Sequence, residues 1–500
     1  MTKISEGPYL IAIDQGTTST RTVAFTLTGV PVATHQRAFN QIYPRDGWVE
    51  HDPEEIWSTV CETVSAVIAD IGGASRAAAI GITNQRETAL IWDRTTGQCV
   101  GNAIVWQDRR GAERCQDLRR SAIGGEIQKL TGLIPDSYFS ATKLEWILNA
   151  NPHLRDRAER GELAAGTIDS FLLWRLTGGG AEAIHATDAT NASRTMIYDI
   201  HRQRWDETLL AEFGVPVALL PAVRDTASPF GSTATDLFGA SIPVTALVGD
   251  QQSALIGQMC FEPGMAKATF GTGAFVLINS GHDAPLSRHK LLTTVGYRIA
   301  GAITYAIEGS VFNAGTVVQW LRDEAGFIAD ARESDAAARH SNRDSVVFVP
   351  AFTGLGAPHW NPDARGAIFG LTRDTTKADI VRAGLEAVCF QTADLLDAMT
   401  IDAGRTLEVL RVDGGMAAND WMLQSLADLT GVPVERPSYL ETTVLGAALM
   451  AGVGAGLFSA VSDADQVRSV DRIYMPSESE DWRKSRRALW RRAVGRVLER

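Results

Sequence analysis

The sequence predicts an α/β protein built from two similar halves. Short apolar runs alternate with amphipathic helical stretches along most of the chain. A strand, Gly-Thr turn, strand pattern occurs near residue 16 and again near residue 271, about 255 residues later. The length of 500 residues also exceeds what one domain usually holds.

The first apolar run, 9–13, ends at Asp14, and Gln15-Gly-Thr-Thr-Ser-Thr20 forms a polar turn before a second β-like run at 22–27. A helix follows. Asp52 suits its N-cap, Pro53 its first turn, and Ile56, Val60, Val64, Val67 and Ile68 make one stripe that predicts packing on a sheet. Strands are expected at 78–82, 89–92 and 242–248, with helices around 108–120, 141–150 and 251–259, and 226–241 is the longest loop-like stretch. The opening pattern then returns over 266–278. Further strands are expected at 303–307, 346–349 and 407–412, with helices from 313, over 377–399 and from about 418. The repeat places a boundary near 254–262, giving units 1–256 and 257–500. The segment 482–500 carries eight Lys or Arg against one Glu, with Trp490, Val494, Val497 and Leu498 on one face. It reads as a docked surface helix, with an anionic partner as the alternative.

Composition excludes several classes. With 47 Lys and Arg against 59 Asp and Glu, the net charge of −12 disfavours a nucleic-acid-coating protein. Apolar residues at 45% and charged residues at 21% are globular values. Five widely spaced cysteines without a C-x-x-C pair argue against a disulfide framework or a cysteine zinc site, and the nine histidines show no paired metal spacing. No apolar run approaches the roughly 20 residues that span a bilayer. A cytoplasmic setting is expected.

There is no P-loop and no strand-linked G-x-G-x-x-G. In Asp14-Gln-Gly-Thr-Thr-Ser-Thr-Arg21 a glycine lets the backbone approach a phosphate, successive N–H groups and hydroxyls can line an anion site, and Arg21 adds charge. Asp14, at the strand end, is then placed for Mg²⁺ through water. Read alone, the same turn is also an ordinary hairpin rich in β-favouring threonines. Gly271-Thr272-Gly273 offers a matching grip from the second half. Gly414-Gly415 and Asn419, at a strand-to-helix junction, complete the outline of a nucleotide cleft between two similar domains.

Several motifs then carry a resemblance. Ile13-Asp-Gln-Gly-Thr-Thr-Ser19, Gly81-Ile-Thr-Asn-Gln-Arg-Glu-Thr88, Trp106-Gln107, Tyr138-Phe-Ser-Ala-Thr-Lys143, Gly249-Asp-Gln-Gln252, Phe352-Thr-Gly-Leu-Gly-Ala-Pro358 and Gly366-Ala-Ile-Phe-Gly-Leu371 run in one order over about 8–475. The chain thereby resembles the FGGY carbohydrate kinases of the actin-like ATPase superfamily, and among them the members acting on glycerol. The resemblance implies two ribonuclease-H-like domains around ATP and Mg²⁺. The first would hold the polyol site, the first phosphate turn and the catalytic Asp; the second, the nucleotide site and the C-terminal helix. The implied activity is phosphorylation of glycerol to sn-glycerol 3-phosphate by a homo-oligomer, dimer or tetramer. Arg86, Glu87, Tyr138, Asp250 and Gln251 match the positions that bond the glycerol hydroxyls, and Trp106 and Phe275 those that pack on its carbons. Thr17, Thr18, Ser19, Arg21, Thr272, Gly315, Gln319, Gly415 and Asn419 match the nucleotide positions. Asp14 and Asp250 are the Mg²⁺ candidates, mediated by water, and Asp250 is the candidate base.

The chemistry agrees. A triol carries no charge, so a site must offer each hydroxyl a donor or acceptor, which an Arg beside a carboxylate supplies; aromatic rings cover the C–H faces. Phosphoryl transfer needs positioning, charge neutralisation and exclusion of water. In some relatives the loop before Ile242 binds a sugar bisphosphate through glycines and an arginine, and in others it carries a phosphorylated histidine. Here 233–241 contains no Arg, Lys or His, so weak or absent regulation by both routes is expected. The competing readings are a pentulose or gluconate kinase of the same family, although pentulose kinases usually carry a Met-His-Gly type segment where Arg86 and Glu87 stand here, and an actin-like ATPase without a second substrate.

Overall fold

Two sheets, each opened by a hairpin, organise the chain. The computed structural model describes residues 7–341, 343–361, 363–461 and 467–499. In the first sheet the strands lie in the order Val244–Gly249, Ala77–Asn84, Tyr9–Gln15, Ser19–Phe25, Pro31–Ala38. Tyr9–Gln15 runs antiparallel to Ser19–Phe25, with Asp14 opposite Arg21, and parallel to Ala77–Asn84.

The second sheet repeats that succession. Ala266–Phe270 runs antiparallel to Ala274–Gly281 and parallel to Leu410–Asp413, which is followed by the parallel strand Val434–Pro437. Ala302–Val311 takes the third antiparallel place, and Leu292–Ile299 and Val470–Tyr474 extend the two edges. The expected duplication is therefore one of topology: three antiparallel strands, then two parallel ones.

Local chemistry explains the elements. Tyr9, Leu10, Ile11, Ala12 and Ile13 are all buried, as a central strand covered on both faces requires. The Asp52 carboxylate accepts from Glu54 N at 2.9 Å and starts the helix Pro53–Asp70. That helix lays Ile56, Val60, Val64 and Val67 on the sheet, with hydroxyl pairs Thr20–Thr59 and Thr22–Thr63 at 2.8 Å between them. The opposite face is covered by a helix from the other half of the chain, Thr442–Gly454, whose small residues permit backbone contact. A Cβ on Gly81 would sit 2.2 Å from the Ala447 carbonyl oxygen, and one on Gly446 1.9 Å from that of Ser253.

Between the strands of the first sheet the chain inserts a second layer. A four-stranded sheet, Glu50–His51, Ala103–Ile104, Ala89–Asp93 and Leu163–Thr167, packs with helices to form a wall that carries Trp106 and Tyr138.

Several expectations change. The helical stretch at 108–120 is Ala112–Arg120, and a second helix, Ala122–Thr131, follows after a break at Ser121. The stretch 226–241 is bridged to the first sheet at Ala227–Ala246 and Ser232–Pro243 and holds a short helix, Thr235–Phe238. The strand Val347–Val349 pairs with Ala367–Phe369 outside the large sheet. The helix from Lys377 continues to Ala403, ended by left-handed Gly404. The helix Glu480–Leu498 is docked, as the sequence predicts. Trp490 stacks on Phe390 at 5.2 Å, and Arg486 and Arg487 pair with Glu386 and Asp397. All five cysteines are free.

Candidate active site

The first turn is held from behind. The carbonyls of four successive residues are all engaged: Gly16 O accepts from Gln85 Nε2 at 3.1 Å and Gln15 Nε2 at 2.8 Å, and Thr17 O from Gln41 Nε2 at 2.9 Å. Thr18 O accepts from Phe39 N at 3.3 Å and Ser19 O from Gly16 N at 3.0 Å. Buried His51 joins the two amide side chains, its Nε2 2.8 Å from Gln41 Oε1 and its Nδ1 3.2 Å from Gln85 Nε2. This requires the neutral ring with Nε2 protonated, and burial lowers the pKa to about 4. With its carbonyls tied back, the turn leaves N–H groups and the hydroxyls of Thr17, Thr18 and Ser19 as its outward dipoles, the requirement for an anion. Trp106 braces it by donating Nε1–H to Thr17 Oγ1 at 2.9 Å.

Arg21 has a structural engagement. Its guanidinium pairs with Glu441 and donates to Gln36 Oε1 at 3.1 Å, while Gln36 Nε2 donates to Ser19 Oγ at 2.7 Å. Asp14 lies partly exposed at the strand end beside it. Desolvation pushes its pKa up to about 7; Arg21 opposes this, and Asp250 and Glu441 add to it. Two hard carboxylates, Asp14 and Asp250, thus share one field at the foot of the first turn.

The second turn is held by backbone. Gly271 N donates to Gly273 O at 2.9 Å, Gly315 N to Gly271 O at 3.0 Å, and Ala314 N to Thr272 O at 3.1 Å. Glycine is required by space: a Cβ on Gly273 would lie 2.6 Å from Val311 O, and one on Gly315 2.6 Å from Gly271 O. Gly414, at φ +84°, touches Phe270, while Gly415 is exposed with open space around it. Gln319 is exposed on the helix Gly315–Asp323, one turn after Gly315. Asn419 caps the next helix by accepting from Met422 N at 2.8 Å and donates to Ser334 Oγ at 3.1 Å.

Arg86 and Asp250 meet between the sheets, Nε to Oδ1 at 2.9 Å. Adjacent Arg86 and Glu87 do not pair with each other. Arg86 pairs with Glu308 of the second sheet and donates to Gln252 Oε1 at 3.2 Å, whereas Glu87 accepts from Arg194 Nε at 2.5 Å. Arg194 Nη2 reaches Glu308 Oε1 at 2.9 Å, so Glu308 joins both arginines. Burial pushes the Glu87 carboxyl up, and Arg194 and Arg86 only partly offset it. For Glu308 the same two arginines outweigh burial and hold it low. Glu87 sits at φ +60°, in the left-handed region, a strained position for a side chain of its size.

Aromatic rings close the other side. Trp106 meets Tyr138 at 5.5 Å and Phe275 at 6.3 Å, edge to face. The Arg194 guanidinium lies 5.4 Å from the Tyr138 ring centre and 5.2 Å from that of Phe139. These ring faces account for its Nη1, which is buried without a hydrogen-bond acceptor.

The sequence reading missed Glu308, Arg194, Lys267, Lys143 and the amides behind the first turn. Buried Lys143 donates to the Tyr138 and Phe139 carbonyls, and burial lowers its pKa to about 8. Glu308 and Lys267 interrupt otherwise β-like apolar or small-residue runs, a signal that was available. Arg194 lies in a polar stretch with no such contrast. Among the described residues no cluster of three or more His, Cys, Asp or Glu could hold a metal, and no helix is long and apolar enough to cross a membrane.

A glycine turn at the head of each of two topologically repeated sheets, with a polar and aromatic cluster between them, is the arrangement expected of a two-lobed phosphoryl-transfer class. Residues 9–257 match the FGGY family of carbohydrate kinases, N-terminal domain, and 266–455 its C-terminal domain. The chain belongs to that family. It is 52% identical over 494 residues to a glycerol kinase of Alcanivorax borkumensis and 54% identical over 491 residues to glycerol kinase 1 of Pseudomonas aeruginosa, each match covering 98% of this chain and 99% of the relative. The crystal structure of Plasmodium falciparum glycerol kinase with ADP superposes at TM-score 0.93 with 36% identity, covering 98% of each chain. A xylulose kinase from Lactobacillus acidophilus shares the fold at TM-score 0.88 and 22% identity, covering 98% of each chain.

Proposed function

We propose that this chain transfers the γ-phosphoryl group of ATP to glycerol, giving ADP and sn-glycerol 3-phosphate. The observation that carries the reading is the meeting of Arg86 and Asp250 opposite the Trp106, Tyr138 and Phe275 rings, beside a turn whose carbonyls are all tied back. Relatives named glycerol kinase at over 50% identity along nearly the whole chain support it.

Arg86, Glu87, Tyr138, Asp250 and Gln251 would pair with the hydroxyls, and Trp106 and Phe275 would cover the carbon skeleton. The oxygen of one terminal hydroxyl forms the new P–O bond as the bond from the γ-phosphorus to the β–γ bridging oxygen breaks. The hydroxyl proton passes to Asp250, and the electron pair leaves with ADP. Thr17, Thr18, Ser19 and Thr272 would grip the phosphates from two sides, with Gly315, Gln319, Gly415 and Asn419 around the nucleoside. Arg21 would act on the phosphates only if its pairing with Glu441 opens.

The donor set suits Mg²⁺. Asp14 and Asp250 are hard oxygen ligands; burial is the main cause of the raised Asp14 pKa, and the neighbouring Asp250 and Glu441 carboxylates add to it. The ion would be held by these carboxylates through water and would neutralise charge on the transferring phosphoryl group. We propose the division into units 1–256 and 257–500 as the polyol and nucleotide halves of this enzyme.

The test is ADP release with product identification for the purified chain, given Mg-ATP and glycerol, dihydroxyacetone, xylulose, ribulose or gluconate. Preference for glycerol by orders of magnitude, with sn-glycerol 3-phosphate formed, is the expected result. Preference for a pentulose or an acid would overturn the substrate reading.

A further inference from the structure

Lys267 is a fully buried lysine on the first strand of the second sheet, Ala266–Phe270. Two of its three N–H groups go to neutral oxygens: Gln251 Oε1 at 2.5 Å and Thr269 Oγ1 at 2.9 Å. Among the described residues no carboxylate lies within 4.0 Å of its ammonium. Asp413, across the sheet, is engaged by Gln258 Nε2 at 2.8 Å and Thr442 Oγ1 at 2.5 Å. Asp413, Asp250 and Glu308 act on the Lys267 charge through space, but burial outweighs them, and a buried cation with no carboxylate in contact is costly.

The chemistry of the contact is one-sided. An ammonium has donors only, so the Gln251 atom facing it must be the carbonyl oxygen, and the amide orientation is forced. The Nε2 group then points away from Lys267, and no acceptor among the described residues takes it. Gln251 follows Asp250 at the start of the helix Asp250–Gly257.

We infer that Lys267 is a positioning residue that fixes Gln251 as a hydrogen-bond donor toward the polyol, so that Asp250 accepts and Gln251 donates at one end of the substrate. The inference rests on the site proposed above and adds a residue that makes no substrate contact of its own. Without Lys267 the amide can turn over and present its oxygen, which competes with Asp250 for the hydroxyl protons.

The experiment is steady-state kinetics on the full chain with glycerol and Mg-ATP. Lys267→Met should raise KM for glycerol about tenfold, with KM for ATP and kcat changed less than about threefold. In a Gln251→Ala background the same change should alter kcat/KM for glycerol less than twofold, because the two residues act as one unit. Independent, multiplying effects would overturn the inference. Gln251→Glu guards against misfolding of the Met variant, because it strengthens the buried pair yet presents only acceptors. It should raise the glycerol KM as much as Gln251→Ala does, and an unchanged KM would show that the donor sense is irrelevant. An unsubstituted chain that does not phosphorylate glycerol would overturn the proposed function itself, whereas an active chain indifferent to Lys267→Met would overturn only this inference.

Discussion

In the first glycine turn, the proposed phosphate grip, side chains do the holding. Gln15, Gln41 and Gln85 reach the carbonyls, buried His51 ties two of those amides together, and Trp106 braces Thr17. In the second turn, backbone donates to backbone and the missing side chains of Gly273 and Gly315 make room for it. The two turns occupy equivalent places in repeated sheets, yet they fail for different reasons. The first is vulnerable to loss of a polar group and to acid, the second to added volume.

The largest effect is expected where neither turn is touched. Asp250→Asn should lower kcat about a thousandfold, as loss of a general base does, with KM for ATP nearly unchanged. Equal loss of ATP binding would show that Asp250 supports the turns instead of accepting the proton.

Next comes the direct contrast. Gly273→Ala puts a Cβ 2.6 Å from the Val311 carbonyl oxygen and should raise KM for ATP about tenfold or more, roughly 1.4 kcal/mol. Gly16→Ala meets only Ser19 O, at 3.3 Å, and should cost about threefold or less. Similar effects at both would end the distinction.

A smaller effect on the kinetics, with a separate loss of stability, is expected for Gln85→Leu, which strips a donor from Gly16 O and leaves His51 Nδ1 buried and unsatisfied. Roughly 1–3 kcal/mol of stability should go, read as a lower denaturation midpoint, together with a weaker ATP KM.

The smallest effect near neutral pH, because it develops only in acid, is a pH dependence. His51 titrates near 4 in the fold and near 6.5 in the unfolded chain, so the unfolded state takes up the proton first. Stability from this group is complete above about pH 6.5 and is lost as pH falls toward 4, by roughly 3 kcal/mol at most. Replacing His51 by Gln should flatten that part of the stability–pH curve, and an unchanged slope would place the acid sensitivity elsewhere.

Much of this was legible in the chain. The stripe from Ile56 to Ile68 with its Asp52 cap became the expected helix, and both hairpins stand where the Gly-Thr turns announced them. Less legible were elements whose signal is not local. Leu292–Ile299 reads as a mixture of threonines and apolar residues and becomes a strand by pairing with Ala302–Val311. The helix Thr442–Gly454, rich in Gly and Ala, has little amphipathic character because it is buried between the first sheet and the helix Asp250–Gly257. Of the residues named from the sequence, Arg86 meets Asp250, and Trp106 meets Tyr138 and Phe275, but the partner of Glu87 had no signal in the chain. Neighbours in sequence at Arg86 and Glu87 turned to different partners, 222 and 107 residues away.

The sequence by itself determined the α/β class, the duplicated hairpins, the family and the residue types a neutral polyol and a phosphate chain require, because each depends on short-range pattern or on motif order. Only the tertiary structure decided that Glu308 of one sheet bridges two arginines of the other unit, that Lys267 faces an amide and not a carboxylate, and that a helix from 442–454 covers the first sheet. Those outcomes depend on distances between parts of the chain up to several hundred residues apart. They are set by which packing brings distant buried charges and polar groups together, a condition that no local pattern encodes.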